Sequence, residues 1–175
     1  MKKTLLKAKT PLKSKTVLKT TPKRKRRDPN SIPVLRDKAD EVFKRYVRIR
    51  DSEFIKGKWV GNCITCNREI VTLDLTGEKP KWFKNSQGGH FVSCGRLILR
   101  YEETNVNLQC AWCNAWRDKQ AMITAYRKAI VNKYGDATLK WLLREAKKSH
   151  NFTKQELKEV IHDSTVALQW YLKHG

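Results

Sequence analysis

Two Cys-x-x-Cys pairs constrain the fold of this chain more than any other feature: Cys63 with Cys66, and Cys110 with Cys113. Each pair presents two thiolates from one tight turn, and four thiolates make the tetrahedral site that structural zinc prefers. The 43 residues between the pairs exceed what a compact zinc ribbon requires, so we expect a sizeable piece of structure between them. We therefore predict a structural Zn²⁺ site, with redox thiols as the alternative. The fifth cysteine, Cys94, is interpreted as a small buried hydrophobe.

The net charge of +21 favours nucleic acid as the partner, because Lys and Arg neutralise phosphates and release counterions. Residues 1–27 contain twelve Lys or Arg and no acid, so this segment alone carries +12. It has no aromatic residue and cannot bury a core. We predict that residues 1–33 form a disordered basic arm that lies along a phosphate backbone; a localisation signal or a ribosomal-type tail is the alternative.

The remainder of the chain is predicted to be one domain of the α+β class. Apolar residues recur at helical spacing from Arg36 to about Ile55, and short β-prone pieces separated by Gly and Pro follow. Helical spacing then returns and continues to the end of the chain. The predicted division of residues 34–175 is an N-terminal helix (34–56), a small zinc-braced core (57–120) and C-terminal helices (121–175).

The C-terminal helices carry two local signals. Thr153 is followed three residues later by Glu156, which is the pattern of a capping box at a helix start. Leu139, Leu142 and Leu143 are spaced to lie on the inner face of a short helix. We interpret these helices as core and scaffold without chemistry of their own.

The sequence gives no sign of a membrane or export segment. No apolar run approaches the roughly 20 residues of a membrane span, and the basic amino terminus lacks the apolar stretch of a secretory signal. We expect no membrane partner and a cytoplasmic location, where thiols stay reduced and bind metal rather than forming disulfides.

One of the four histidines, His90, lies between the cysteine pairs. Imidazole titrates near neutrality, so it can take a proton from water at physiological pH. A lone histidine is usually structural, but Asn105 follows fifteen residues later and Asn114 directly follows the second cysteine pair.

The arrangement resembles the HNH, or ββα-metal, nucleases, in which a His ends one strand, an Asn opens the next segment and an Asn or His begins a helix. The stretches "GHF", "NVNLQCAWCN" and "FTKQELKEV" further resemble the phage NinG/Rap family of recombination endonucleases, over roughly residues 36–172 with a specific core at 63–126. The resemblance implies a zinc-braced ββα-metal (HNH/treble-clef-like) core flanked by helices.

The same resemblance implies roles for individual residues. His90 would be the general base, Asn105 would orient it, and Asn114 would help to hold a catalytic Mg²⁺ or Mn²⁺ on the scissile phosphate. The implied substrate is branched DNA, such as Holliday junctions or displacement loops, cut during phage recombination in the host bacterial cytoplasm.

The chain departs from the HNH pattern directly before the histidine. Many HNH proteins carry an acid or His there as a second metal ligand, whereas this chain has Gly89. Glu102, Glu103 and Asp118 are alternative ligands, as are the phosphate and water. A second open choice is whether the orienting amide is Asn105 or Asn107; the nine-residue step to Asn114 favours Asn105.

Basic residues of the arm and of the core are predicted to contact phosphates, although a solvated basic face accounts equally well for those in the core. They are Lys23, Arg24, Lys25, Arg26 and Arg27 in the arm and Arg96, Arg100, Arg117 and Lys119 in the core. Trp112 and Trp116 are interpreted as core residues rather than as surfaces for base stacking.

Two other functions are compatible with the charge and the zinc site. One is a non-catalytic zinc-finger module that binds DNA or RNA, which leaves His90 unexplained. The other is an HNH homing or restriction nuclease with a defined sequence target. A homodimer would suit the two-fold symmetry of a junction, but no segment marks an interface.

Overall fold

A computed structural model describes residues 27–95, 97–116 and 119–175. Within these ranges the chain is an α+β protein, as predicted. Its helices are α1 (Ile32–Arg50), α2 (Ala111–Ala115), α3 (Gln120–Tyr134), α4 (Asp136–Glu145) and α5 (Lys154–His174). Its strands are β1 (Ser52–Ile55), β2 (Lys58–Asn62), β3 (Glu69–Asp74), β4 (Lys81–Trp82), β5 (Ser86–His90) and β6 (Val106–Cys110). Most of the predicted arm lies outside the described residues.

Helix α1 begins earlier and ends earlier than its apolar spacing predicts. It starts at Ile32, with Pro33 in the first turn, where a missing N–H costs nothing. The predicted extension to about Ile55 is wrong, because α1 ends at Arg50 and the following residues form β1. The chain turns back at Lys56 and Gly57, which both have positive φ. Phe54 and Ile55 fit a helical period, but they belong to a hairpin.

Strands β1 to β4 form an antiparallel sheet in sequence order. Its inner side packs on the end of α1 through Ile49, Trp59 and Leu73. Residues of α5 cover the other side of α1 and bury Phe43 and Val47. The sizeable structure predicted between the cysteine pairs consists of β3, β4, β5 and most of β6.

Strands β5 and β6 form a separate antiparallel hairpin, and α2 follows β6 without a break, so the chain makes a ββα unit. Successive side chains of β5 point to opposite faces of the hairpin. The face of Gly88 lies against α1, since a Cβ at Gly88 would lie 3.1 Å from the Lys44 side chain. The face of Gln87 and Gly89 lies against α2 and α3.

Helices α3 and α4 pack together against the loop that joins β5 to β6. Buried Tyr126 and Ile130 of α3 and Leu142 of α4 contact Val92 and Leu99 of that loop. The capping box at Thr153 is confirmed at the start of α5. The inward orientation predicted for Leu143 is wrong: its side chain is among the exposed apolar residues, at the rim of a cavity.

A buried carboxylate joins three distant segments of the chain. Asp51 accepts hydrogen bonds from the Arg50 guanidinium, from the Leu108 N–H at 2.9 Å and from the Lys133 ammonium at 2.8 Å. Burial acts to raise the pKa of Asp51, but these partners hold it below its usual value. The end of α1, strand β6 and helix α3 therefore meet at one charge.

Within the described ranges, every helix is too short or too polar to cross a membrane.

Candidate active site

The four paired cysteines converge. The Sγ atoms of Cys63, Cys66, Cys110 and Cys113 all lie within 4.8 Å of one another, and the Cys66 and Cys110 sulfurs are 3.9 Å apart. Zinc–thiolate bonds of about 2.3 Å in a tetrahedron place sulfurs about 3.8 Å apart. Three of the four cysteines are buried and Cys66 is exposed, and the donor set and its spacing fit a structural zinc ion. Cys94 lies outside this cluster and is half-buried.

Backbone groups around the cluster favour thiolates. The N–H of Cys110 donates to Cys63 Sγ at 3.3 Å, and the N–H of Cys113 donates to Cys110 Sγ at 3.4 Å. Burial and hydrogen bonds with the neighbouring thiols raise the pKa of Cys113, so its thiolate needs a cation beside it. The cluster joins the end of β2 to the start of α2 and fixes α2 on the hairpin.

His90 is the last residue of β5 and is only 7% exposed. Its Nε2 lies 3.1 Å from the backbone oxygen of Arg100. A carbonyl oxygen can only accept, so Nε2 carries the hydrogen and Nδ1 of the neutral ring has a free lone pair. Burial lowers the pKa of His90 to about 4, against the opposing effect of the bond to Arg100, and the ring is therefore neutral at pH 7.

Asn105 holds the loop that follows His90. Its Nδ2 donates to the backbone oxygens of Val92 at 3.0 Å and Leu99 at 2.9 Å, and its Oδ1 accepts from the Val92 N–H at 2.7 Å. The Asn105 backbone oxygen also accepts from the Phe91 N–H. The amide is fully used by the loop and makes no bond to the imidazole, so it positions His90 through the backbone.

Asn107 is directed elsewhere. Its Oδ1 accepts from the Tyr134 hydroxyl at 2.7 Å and the Lys133 ammonium at 3.0 Å, both on α3. Between the two candidates for the orienting amide, the geometry therefore favours Asn105.

Asn114 lies in α2, against the face of the hairpin that carries Gln87. Its Nδ2 donates to Gln87 Oε1 at 2.6 Å, and its Oδ1 is buried without a hydrogen-bond partner. A buried carbonyl oxygen that lacks a donor costs about 1–3 kcal/mol, so an orphaned oxygen of this kind fits a ligand of a hard cation.

Two of the acidic alternatives for a second metal ligand are engaged in other contacts. The carboxylate of Glu102 accepts from the Thr104 hydroxyl and N–H. Glu103 lies 3.6 Å from the Arg50 guanidinium, and its side chain is 55% exposed. The third, Asp118, lies outside the described residues.

The predicted phosphate contacts divide into three groups. Lys23 to Arg26, Arg96 and Arg117 lie outside the described residues, whereas Arg27 and Lys119 are exposed. Arg100 does not fit the prediction, because its guanidinium is paired with Asp40 and donates to the Cys94 carbonyl at 3.1 Å. This ion pair holds the segment whose carbonyl binds the His90 ring.

The core assignment of the α2 tryptophans is wrong. Trp112 is 56% exposed and Trp116 is 47% exposed, and their ring centroids are 6.4 Å apart at 46°. The Lys119 ammonium lies 5.4 Å from the Trp116 ring centroid. Since the cysteines take the inner side of so short a helix, its large aromatic residues are left on the surface.

Two glutamines complete the site and are not among the predicted residues. Gln87 on β5 and Gln109 on β6 are directly opposite each other in the hairpin. Gln109 and His90 line the same cavity of about 270 Å³, beneath α3 and α4. The local signal for Gln109 is its place directly before the second cysteine pair.

Fold and site together define an α+β protein in which a four-cysteine cluster that could hold zinc adjoins a ββα unit. The chain belongs to the family of the bacteriophage lambda NinG protein, whose family model matches residues 1–173. The family resemblance of the sequence is thereby confirmed, and membership associates the chain with phage recombination. No curated protein and no solved structure matches the chain.

Proposed function

We propose that the chain is a metal-dependent endonuclease of the HNH type that cuts branched DNA during phage recombination. The observation that carries the proposal is the ββα unit itself: His90 ends its first strand with one ring nitrogen free, and Asn114 on its helix has an orphaned buried oxygen. A binding module has no need of either feature.

The environment of His90 suits a general base. The Arg100 carbonyl fixes the tautomer, so the lone pair of Nδ1 is available for the proton of an attacking water. The low pKa keeps the ring unprotonated, and a phosphodiester anion beside it would raise the pKa towards the working range. Asn105 and the Arg100–Asp40 ion pair fix the loop whose Arg100 carbonyl binds the ring, and so keep the ring in place.

Asn114 is the residue of the predicted set that fits a divalent cation. Its amide is oriented by the bond to Gln87, which leaves Oδ1 free, and Cys113 of the four-cysteine cluster directly precedes it in α2. A bound Mg²⁺ or Mn²⁺ would supply positive charge to the phosphate in the transition state and to the leaving oxygen.

The surface around α2 suits DNA that contains unpaired bases. Basic side chains contact phosphates without regard to sequence, and the chain carries a net charge of +21. The exposed rings of Trp112 and Trp116 offer stacking surfaces, which intact duplex DNA cannot use but the bases at a branch can. Shape and charge would therefore select the substrate.

The decisive experiment compares a four-way junction with linear duplexes of varied sequence, using the zinc-loaded full chain with Mg²⁺ or Mn²⁺. We expect cleavage of the junction and little cleavage of the duplexes. His90→Ala should bind the junction as the wild type does but cut it at least about 100-fold more slowly, since general bases contribute on that order. His162→Ala, on the exposed side of α5, is the matched control and should cut normally.

Each alternative has its own result in this experiment. Cutting of one duplex sequence in preference to the junction would indicate a sequence-specific HNH nuclease. Tight binding by the wild type without cutting under either metal would indicate a binding module and would overturn the proposal.

A further inference from the structure

The side chain of Gln109 occupies the place that residue 89 would use. A Cβ built at Gly89 would overlap the Oε1 of Gln109 and would lie 2.8 Å from its Cδ. Gly89 has no positive φ, so its conformation does not require glycine. The reason for glycine here is the amide of Gln109, which crosses from β6 over the backbone of β5.

The zinc centre sets the orientation of that amide. Gln109 Nε2 donates to the hydroxyl of Thr65 at 2.7 Å, and Thr65 lies between the two cysteines of the first pair. Oε1 is thereby turned away from Thr65 and is buried without a partner, in a residue that is 1% exposed. An amide oxygen held in this way has lost its water and gained no donor.

The two orphaned oxygens lie on one face of the hairpin. Gln109 is directly opposite Gln87, and Gln87 accepts from Asn114. Among the described residues, four buried side-chain atoms lack a partner: two are N–H groups, of Arg36 and Trp59, and two are oxygens, of Gln109 and Asn114. The acceptors that lack a donor thus both belong to this site.

We propose that Gln109 Oε1 and Asn114 Oδ1 are side-chain ligands of one divalent cation, with Gln109 replacing the ligand that Gly89 cannot supply. The assignment rests on the proposed nuclease function. Amide oxygens suit hard cations such as Mg²⁺ and Mn²⁺ rather than zinc. Both ligands are neutral, so the free protein binds the cation weakly, and phosphate oxygens of the DNA complete the coordination.

The test measures Mn²⁺ binding to the zinc-loaded full chain by electron paramagnetic resonance, with no DNA present. Gln109→Glu keeps the shape of the side chain and adds a negative ligand, so the Mn²⁺ dissociation constant should fall at least about tenfold. Gln109→Met removes the oxygen and should weaken binding by a similar factor. Gln155→Glu makes the same charge change on exposed α5 and should leave the dissociation constant unchanged.

Thr65→Val provides a second approach that leaves Gln109 itself intact. Loss of the hydroxyl frees the amide to rotate, so Mn²⁺ binding should weaken about threefold or more, by about the 0.5–1.5 kcal/mol of one hydrogen bond. Zinc content and circular dichroism identify any variant that has not folded.

The ligand assignment and the nuclease proposal fail in different ways. If wild type cuts junctions while folded Gln109 and Thr65 variants bind Mn²⁺ as it does, the assignment is wrong and the nuclease proposal stands. If the variants shift Mn²⁺ binding as expected but wild type cuts no DNA, the cation site stands and the nuclease proposal falls. If wild type neither binds Mn²⁺ nor cuts, both are overturned.

Discussion

At the scale of single residues, the site is assembled from backbone carbonyls and amides, with one imidazole as its titratable group. The Arg100 carbonyl accepts a hydrogen bond from His90, and the side-chain amide of Asn105 makes all its hydrogen bonds to the backbone of the loop. Such groups carry no charge between pH 4 and pH 8, so the acid sensitivity of the part of the site around the β5–β6 loop depends mainly on His90.

Burial of His90 gives a first prediction about pH. Its pKa is about 4 in the folded chain and about 6.5 in an unfolded one. Above pH 6.5 both states are neutral and His90 has no effect on the pH dependence. Below pH 6.5 His90 is protonated in the unfolded chain but stays neutral in the folded one. The free energy of unfolding should therefore fall by up to about 3 kcal/mol towards pH 4.

Urea unfolding of wild type and His90→Asn between pH 7 and pH 5 measures this effect. The wild type should lose stability faster than the variant as pH falls, so that the difference between them shrinks. Carboxylates and cysteines titrate in both proteins and cancel in the comparison. Parallel pH profiles would contradict the buried, neutral state of His90.

The crossing of Gln109 over Gly89 gives a second prediction. Gly89→Ala should destabilise the fold by about 1–3 kcal/mol, because the added methyl group overlaps a tethered, buried amide. Gln109→Ala removes Oε1 and Cδ, so that the contact of the added methyl group with the Cβ of residue 109, at 2.9 Å, is the one that remains. In a double-mutant cycle, Gly89→Ala should therefore lower the free energy of unfolding less in the Gln109→Ala background than in the wild type, by about 1 kcal/mol or more. Additive effects would show that the side chains do not compete for this space.

Local chemistry explains which residues of the site could be predicted from sequence. The four cysteines and the box of Thr153 and Glu156 follow from spacing along one or two turns of chain. Gln109 could not be predicted, because its role depends on the register of β5 with β6 and on the absence of a side chain at Gly89. Both facts concern residues far apart in sequence.

At the scale of elements, helix α2 connects the metal centre to the surface. Cys113 faces inward, Asn114 reaches the hairpin, and Trp112 and Trp116 lie outside. The exposure of the tryptophans was not predictable from composition, since aromatic residues in a small domain are usually needed in its core. Here α1, α3, α4 and α5 supply the core instead.

The exposed tryptophans give a third prediction. Trp112→Ala with Trp116→Ala should weaken binding to a junction by about 1–3 kcal/mol per stacked base and should weaken binding to linear duplex much less. Trp170→Ala, an equally exposed ring on α5, is the matched control and should change neither affinity. Equal losses for junction and duplex would assign the tryptophans to a different role.

The cysteine cluster gives a fourth prediction. The wild type should contain one zinc per chain by atomic emission, whereas Cys110→Ser should lose zinc together with cooperative thermal unfolding, because α2 and β2 are no longer joined. Cys94→Ser, outside the cluster, should retain the zinc and the transition. Full zinc content in Cys110→Ser would exclude this residue as a ligand.

At the scale of the whole molecule, charge dominates the expected encounter with DNA. More than half of the +21 is carried by residues 1–27, and the folded part holds several of its basic groups in internal pairs. Arg50, Arg100 and Lys133 are examples of such paired residues. The arm should therefore contribute more per charge to DNA binding than the folded part does.

A fifth prediction compares two sets of three basic residues. Neutralising Arg24, Lys25 and Arg26 with Gln should lower the slope of log affinity against log salt concentration by about 2–3, since each phosphate contact contributes about 0.9. Neutralising Lys154, Lys158 and Lys173 on exposed positions of α5 should change the slope by less than 1. Fluorescence anisotropy with a labelled junction at several salt concentrations measures the slope for each variant. Equal changes in slope for the two variants would contradict a larger contribution of the arm to DNA binding.

The charge network at Asp51 also affects how late the site can fold during synthesis of the chain. Leu108 and Lys133 bind this carboxylate from 57 and 82 residues further along the chain. Before α3 has been synthesised and docked, Asp51 lacks the Lys133 ammonium among its partners, so α1 and the β5–β6 hairpin are held together less firmly. A ribosome-bound fragment that already contains every cysteine, His90 and Asn114 but stops before α3 is therefore expected to be inactive on DNA.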